Sequence, residues 1–311
     1  MIVRPRNQTM WGLLLSTRGS IIGEILPRIV YVVVIALVVT IVHEFWYPFR
    51  SSLTVTPFSL IGLTLAIFLG FRNRVSYERF WEGRTMWGEL HIVARNLARQ
   101  TLTLPSPATG EALTAGERRD LIHRIIAFTH ALRHYLRKTD PQTDLRRYLP
   151  EPEVKALLAA SNLPNALVLN IGQAYARLCH AGRIDPILFA AIEHQVTRLA
   201  YILGGCERVQ STPIPFAFLL LLHRTVHIYC LLLPFGLIDT VGMMTPVVVC
   251  IVSYTFFGLD ALGDQIEDPF SLRPNNLPLD AISRAVENNL LSMLGDANPP
   301  RLLQPVDTLL T

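Results

Sequence analysis

The central stretch of the sequence, residues 57–87, changes from apolar to charged with no helix-breaking residue at the junction. It begins with Pro57, which the first turn of a helix tolerates because the missing N–H would be unpaired there. Residues 58–71 carry no charge, which suits the interior of a bilayer. From Arg72 onward arginine and glutamate are frequent while the helical pattern continues. The stretch therefore predicts one helix that leaves a membrane and continues into water.

Two neighbouring rows of side chains run along the apolar part of this helix. The large row recurs at every fourth residue and consists of Leu63, Ile67 and Phe71. The small row has the same spacing and consists of Gly62, Ala66 and Gly70, a pattern that lets other helices approach closely. Spacing alone favours the simpler interpretation of the large row, which is a surface that packs against lipid or core.

The composition agrees with a protein that lies partly in lipid. Half of the 311 residues are hydrophobic, and the mean hydropathy is +0.35. The net charge of +4 comes mostly from arginine, and beside apolar spans this excess indicates membrane topology rather than affinity for nucleic acid. The four cysteines lack the spacing of a metal site or a redox motif, so reduced thiols are expected.

Four apolar segments predict four membrane-spanning helices. The first covers 29–46, the second is the apolar part of 57–71, the third begins near Pro213 or Pro215, and the fourth covers 237–259 after a short loop at 236–239. Arginine-rich segments flank these spans so that both termini are expected in the cytoplasm. The expected organisation is an N-terminal cytosolic or interfacial segment (1–28), transmembrane helices 1 and 2 (29–71), a helical cytosolic region (72–212), transmembrane helices 3 and 4 (213–259), and a C-terminal cytosolic helix and tail (260–311).

Residues 72–212 contain no phosphate-binding glycine loop, nucleophile elbow or paired-carboxylate pattern, so we expect neither an enzyme nor a cofactor. His130 and His134 share a helical face, but without the pattern of a zinc site they are interpreted as polar-face histidines. Trp81 and Trp87 are interpreted as packing residues in the cytosolic region.

Two groups of ionisable residues leave alternatives open. Histidine and arginine inside the third apolar span are either functional or part of a buried ion pair; they are His223, Arg224 and His227. An acidic cluster follows the fourth span, and its oxygens suit either calcium or pairing with the many arginines. It consists of Asp260, Asp264, Glu267 and Asp268.

The run FLGFRNRVSYERFWEGRTMWGEL at 68–90 resembles the bestrophin ion-channel family, particularly its bacterial members. Similar pieces follow in the family's order at 182–188 (GRIDPIL), 214–215 (IP) and 267–270 (EDPF). The resemblance implies an all-α membrane protein with four transmembrane helices per subunit and a helical cytosolic region. It also implies that five identical subunits surround one central pore in a bacterial inner membrane, which the chain crosses several times.

The same resemblance assigns roles to individual residues. It makes Leu63, Ile67 and Phe71 the narrow hydrophobic neck of the pore. It makes Ile187 the second constriction, at the cytosolic aperture, with Ile184 as the nearest competitor. Animal bestrophins carry a calcium-sensing acidic run just after the matching Pro-Phe, and this run is absent after Phe270. The acidic cluster is therefore expected to cap helices or pair with arginines rather than hold a metal.

The expected function is passive conduction of small monovalent ions, with chloride as the family default and monovalent cations as an open possibility. A non-conducting structural or partner-binding membrane scaffold is the alternative. The expected partners are further copies of the chain, membrane lipid and the permeating inorganic ions, without nucleic acid.

Overall fold

A computed structural model describes residues 1–2, 16, 19–45, 54–104 and 112–310. The expected all-α class is confirmed, because every regular element of this part of the chain is helical. The expected N-terminal interfacial segment lies largely outside the described residues. The helices are α1 (Ile22–Phe45), α2 (Val55–Thr103), α3 (Ala115–Arg137), α4 (Gln142–Leu145), α5 (Glu151–Leu158), α6 (Leu163–His180), α7 (Pro186–Ser211), α8 (Phe216–Val241), α9 (Thr245–Glu267) and α10 (Leu279–Met293).

The uninterrupted central helix is confirmed, since α2 continues for 49 residues from the apolar stretch into the charged one. At 1.5 Å per residue its length is about 74 Å, more than twice the ~30 Å of a bilayer's hydrocarbon core. Its apolar part is among three helical segments whose length and hydropathy suffice to cross a membrane; the other two are Ile22–Phe45 and Phe216–Glu267.

The third of these segments is a helical hairpin. The His227 ring lies 4.9 Å from the Phe257 ring, and Tyr229 lies 5.2 Å from Phe256, so α8 and α9 run antiparallel. The chain reverses at a 3₁₀ turn, Gly242–Met244, where Gly242 has a φ of +57°. The prediction of a loop at 236–239 is therefore wrong. Those residues continue α8, and Gly236 instead makes room for the Phe58 ring, with which a Cβ would overlap.

The described residues form two compact units, and α2 contributes to both. The apolar unit comprises Pro5–Phe80 and Pro213–Asp268, and the polar unit comprises Met1–Arg4, Trp81–Thr212 and Pro269–Thr311. In the apolar unit, α1 and α9 pack along each other and α8 packs on both. Their common core is aliphatic and aromatic: Ile25, Ile29, Val32, Ala36, Phe58, Leu65, Leu69, Val226, Tyr229, Cys230, Leu233, Val249, Phe257 and Ala261.

The polar unit is built on α3, which packs against α6 and α10. A full capping box starts this helix: the Thr114 hydroxyl accepts the Glu117 N–H, and the Glu117 carboxylate accepts the Thr114 N–H. Lys138 ends it in the left-handed conformation, with φ 54°. The buried residues Leu121, Ile125, Phe128 and Leu132 recur along it at the spacing of one helical face.

The interpretation of His130 as a polar-face residue is wrong. Its side chain is buried, and Nε2 lies 3.2 Å from Oε2 of Glu287, a buried residue of α10. Tyr148 donates a hydrogen bond to the other oxygen of the same carboxylate. One turn further along α3, His134 lies 3.0 Å from Asp144, and this hydrogen bond, with Arg133 nearby, lowers the pKa of Asp144. Buried polar groups require such partners. The His130 contact joins α3 to α10, and the His134 contact joins α3 to α4.

The two tryptophans of α2 differ in their surroundings. Trp87 is completely buried in the polar unit, as expected for a packing residue, whereas Trp81 is 58% exposed. The prediction that Trp81 packs inside the cytosolic region is therefore wrong for the single chain. The two tryptophans are six positions apart, which places their indoles on different faces of the helix.

Candidate ion pathway

One face of α2 packs into the apolar unit. Leu65, Leu69 and Arg72 lie on this face and are at most 3% exposed. They recur at intervals of four and three residues, which is the spacing of a single helical face. This face fixes the rotation of α2 about its own axis.

The large row lies on the opposite face of α2. Leu63, Ile67 and Phe71 are 62%, 50% and 58% exposed. At about 100° per residue, Ile67 is rotated by about 160° from Leu69. The row is therefore not part of the core of its own chain, and its apolar surface is open to lipid, to another subunit or to a pore.

The small row divides into two parts with different surroundings. Gly62 faces its own chain, where a Cβ would lie 2.6 Å from the Tyr229 hydroxyl. Gly70 has open space, with nothing within 4 Å of the position of a Cβ, and Ala66 is exposed as well. Beside the large row the helix thus leaves a shallow strip where a second helix can approach.

A single buried carboxylate holds the four helices of the apolar unit together. Asp260 of α9 is fully buried and accepts a 2.5 Å hydrogen bond from Arg72 of α2. Its other oxygen lies 2.8 Å from the His223 ring of α8 and 3.6 Å from the Arg28 guanidinium of α1. Arg72 also bonds to Asp264, one turn along α9. In an apolar environment such charges persist because they are paired with one another.

This cluster shows which partners the ionisable residues singled out in the sequence have. His223, whose side chain is 41% exposed, contacts the buried Asp260, while Arg224 is exposed. The acidic cluster serves as a set of partners for arginine and for backbone groups, as expected: besides Asp260 and Asp264, the Glu267 carboxylate accepts the N–H of Ile214 at 3.1 Å. Among the described residues, no three His, Cys, Asp or Glu side chains are grouped so that they could hold a metal ion.

The segment that contains Ile187 starts α7. Asp185 caps this helix by accepting the Ile187 N–H at 2.8 Å, and Pro186 occupies the first helical position. The cap holds the Ile187 side chain outward, where it is 81% exposed, whereas Ile184 is completely buried. Of the two candidates for a constriction, Ile187 is the one whose side chain is open to its surroundings.

Sequence reasoning did not identify Arg72 as a structural residue. A usable signal exists, because two aspartates four residues apart at the end of an apolar span need a buried counter-charge. Arg72 is the first charge after the apolar stretch of α2. Its pairing across 188 residues of sequence depends on the tertiary packing of α2 against α9.

Comparisons with known proteins agree over nearly the whole chain. The family profile described as "Bacterial/Fungal Bestrophin protein" matches residues 1–292. A voltage-dependent anion channel-forming protein of Ralstonia nicotianae is 41% identical over 296 residues, which are 95% of this chain and 95% of that protein. YneE of Escherichia coli K12, which carries the same descriptive name, is 37% identical over 306 residues, 98% of each chain.

Solved structures give the same result. A crystal structure of a bacterial bestrophin homologue from Klebsiella pneumoniae has a TM-score of 0.83 and 41% identity, and the match covers 88% of this chain and 100% of that chain. A crystal structure of a point mutant of the Klebsiella homologue has a TM-score of 0.82 with 41% identity, over 88% of this chain and 100% of that one.

Proposed function

The chain belongs to the bacterial and fungal bestrophin family, and from this membership we propose that it forms an anion channel lined by the large row of α2. The named relatives are channel-forming proteins, which confirms the expectation that the chain is not an enzyme. Its apolar helices place it in a membrane. The proposal gives Leu63, Ile67 and Phe71 the role of a hydrophobic neck.

The observation that carries this proposal is the direction of the large row. The chain buries the opposite face of α2 and holds it with the Arg72–Asp260 ion pair, so three large apolar side chains are left outside the fold. In a symmetric assembly a row of this kind repeats as rings around the axis. Narrow apolar rings resist wetting and therefore limit ion flow without discriminating by charge.

We propose five subunits, as the resemblance to bestrophins implies. One copy of α2 cannot enclose a pore, and the strip at Ala66 and Gly70 lets an α2 helix of a neighbouring subunit approach. In this assembly Ile187 forms the cytosolic aperture. The arginines that flank the apolar helices favour an inner-membrane orientation in which both termini lie in the cytoplasm. In this orientation the helical region 72–212 and the C-terminal region 260–311 are cytoplasmic as well.

Chloride flux into liposomes that contain only the purified protein tests this function. The matched pair of variants is Ile67→Trp and Ile61→Trp, because both isoleucines lie on α2 and are 50% and 45% exposed. Only Ile67 belongs to the large row; Ile61 is rotated from it by about 120°.

We expect the wild-type protein to conduct, Ile67→Trp to reduce the flux strongly, and Ile61→Trp to leave it nearly unchanged. An oligomer of stable mass that carries no flux would favour the scaffold alternative. Equal effects of the two substitutions on the chloride flux would show that the large row does not line the pathway. Light scattering of the detergent-extracted protein tests the number of subunits, and a monomeric mass would contradict the assembly.

A further inference from the structure

The exposed face of α2 carries a charged pair immediately after the large row. Arg74 follows Ile67 by seven residues and Phe71 by three, so it lies on the same face one turn further along. Its side chain is 76% exposed, and its Nε donates a 2.9 Å hydrogen bond to Glu78, which is 60% exposed. The cation is nearer to the row, and the carboxylate lies one further turn away.

The contrast with Arg72 shows that the fold of the single chain does not need Arg74. Arg72, two residues earlier, is 2% exposed and holds two aspartates of α9. Arg74 pairs with a residue of its own helix, and an exposed pair at this spacing adds little to stability. The position of Arg74 is therefore available for a role toward solvent and its ions.

We propose that Arg74 binds small inorganic anions such as chloride next to the large row and sets the charge selectivity of conduction. This inference rests on the proposed function, in which every residue of the row is repeated around the axis. Repeated copies of Arg74 would form a cationic ring about 4.5 Å beyond Phe71 along the helix axis, an offset shorter than the Debye length of about 8–10 Å. An apolar neck supplies no charge selectivity, whereas a ring of charged side chains does.

Glu78 allows the direction of the change in charge selectivity to be tested. Its carboxylate offsets part of the Arg74 charge, so removing it exposes the full cation. A channel governed by this electrostatic balance responds in opposite directions to loss of the arginine and loss of the glutamate. If the ion pair has a purely structural role, loss of Arg74 and loss of Glu78 should change the permeability ratio in the same direction, because either substitution breaks the pair.

The experiment measures reversal potentials in planar bilayers under a potassium chloride gradient for wild type, Arg74→Gln and Glu78→Gln. We expect Arg74→Gln to lower the chloride-to-potassium permeability ratio by about threefold or more, and Glu78→Gln to raise it. Arg74→Lys, which keeps the charge, should retain the wild-type ratio. The control is Arg146→Gln, which removes an equally simple exposed ion pair, that with Glu151 in the polar unit.

Arg74→Cys provides a second measurement on one folded protein. Modification of this variant by a cationic thiol reagent should raise its chloride preference and an anionic reagent should lower it, each relative to the untreated variant, while the same reagents should leave the wild-type ratio unchanged. A conducting wild type whose reversal potential is unchanged by Arg74→Gln and by both reagents would overturn this inference while leaving the channel in place. Absence of any wild-type current would instead refute the proposed function.

Discussion

Replacing Arg72 with glutamine should destabilise the protein far more than replacing Arg74, although the two residues are neighbours on α2. The substitution leaves Asp260, which is fully buried, without its closest counter-charge. Removal of one partner from a buried ion pair typically costs about 3–5 kcal/mol. Asp260 keeps His223 at 2.8 Å and Arg28 at 3.6 Å, and Asp264 is 38% exposed and can be hydrated. The loss in free energy of unfolding should therefore lie near the lower end of this range, about 3 kcal/mol.

The matched control for this prediction is Arg74→Gln, which breaks an exposed pair worth about 0.3–0.5 kcal/mol. The assay is the thermal midpoint of the detergent-extracted protein, followed by circular dichroism and by loss of the folded peak in size-exclusion chromatography. A loss of about 3 kcal/mol corresponds to a midpoint lowered by about 5 °C or more in a chain of this size. The double variant with Asp260→Asn should recover part of the loss, because it removes the unpaired charge. Equal midpoints for Arg72→Gln and Arg74→Gln would refute the anchoring role of the buried pair.

Gly62→Ala should lower the thermal midpoint because its Cβ would lie 2.6 Å from the Tyr229 hydroxyl, and Tyr229→Phe should recover part of the loss; Gly70→Ala, with open space around it, is the control. Conductance should be the same in micromolar calcium and in chelator, because Asp264 is already paired with an arginine; steep calcium activation would contradict this. The stabilising contribution of Asp144, whose pKa is lowered in the folded protein, should be complete above about pH 4 and be lost progressively below it. The midpoints of wild type and Asp144→Asn should therefore converge in acid, and a constant difference would show that this carboxylate is not coupled to folding.

The helices were predictable from sequence wherever local signals agree. The apolar stretch of α2 continues into a charged one with no proline between them, and the observed helix is continuous. Asp185 and Pro186 have the residue types of a helix start, and they start α7. In both places the backbone preference, the cap and the apolar pattern indicate the same element.

The turn between α8 and α9 shows where local signals fail. Pro234 and Gly236 have the composition of a loop, but both lie inside α8. An apolar helical hairpin tolerates such residues because packing of neighbouring helices compensates for the weaker backbone preference. Gly236 is used for close packing against Phe58, and the positive φ that ends the helix belongs to Gly242. Only the tertiary contact distinguishes the two glycines.

The candidate pathway was also predictable only as far as local sequence signals reach. The spacing of Leu63, Ile67 and Phe71 places them on one face of a helix, but cannot tell whether the face is buried or open. That distinction comes from the opposite face, where Arg72 finds partners that are 188 and 192 residues away in the sequence. Likewise, no local pattern predicts that His130 is buried against Glu287, since the contact joins elements separated by 157 residues.

The triple variant Leu63→Ala, Ile67→Ala and Phe71→Ala distinguishes a pore-facing row from a packed one when thermal stability and bilayer conductance are recorded on the same sample. If the row faces a pore, the substitutions widen the passage and leave no sealed cavity, so current should rise and each should cost less than about 1 kcal/mol. In a packed interior each would cost about 2–5 kcal/mol. A stable and more conductive variant is the predicted result, and a destabilised variant without current would contradict the account.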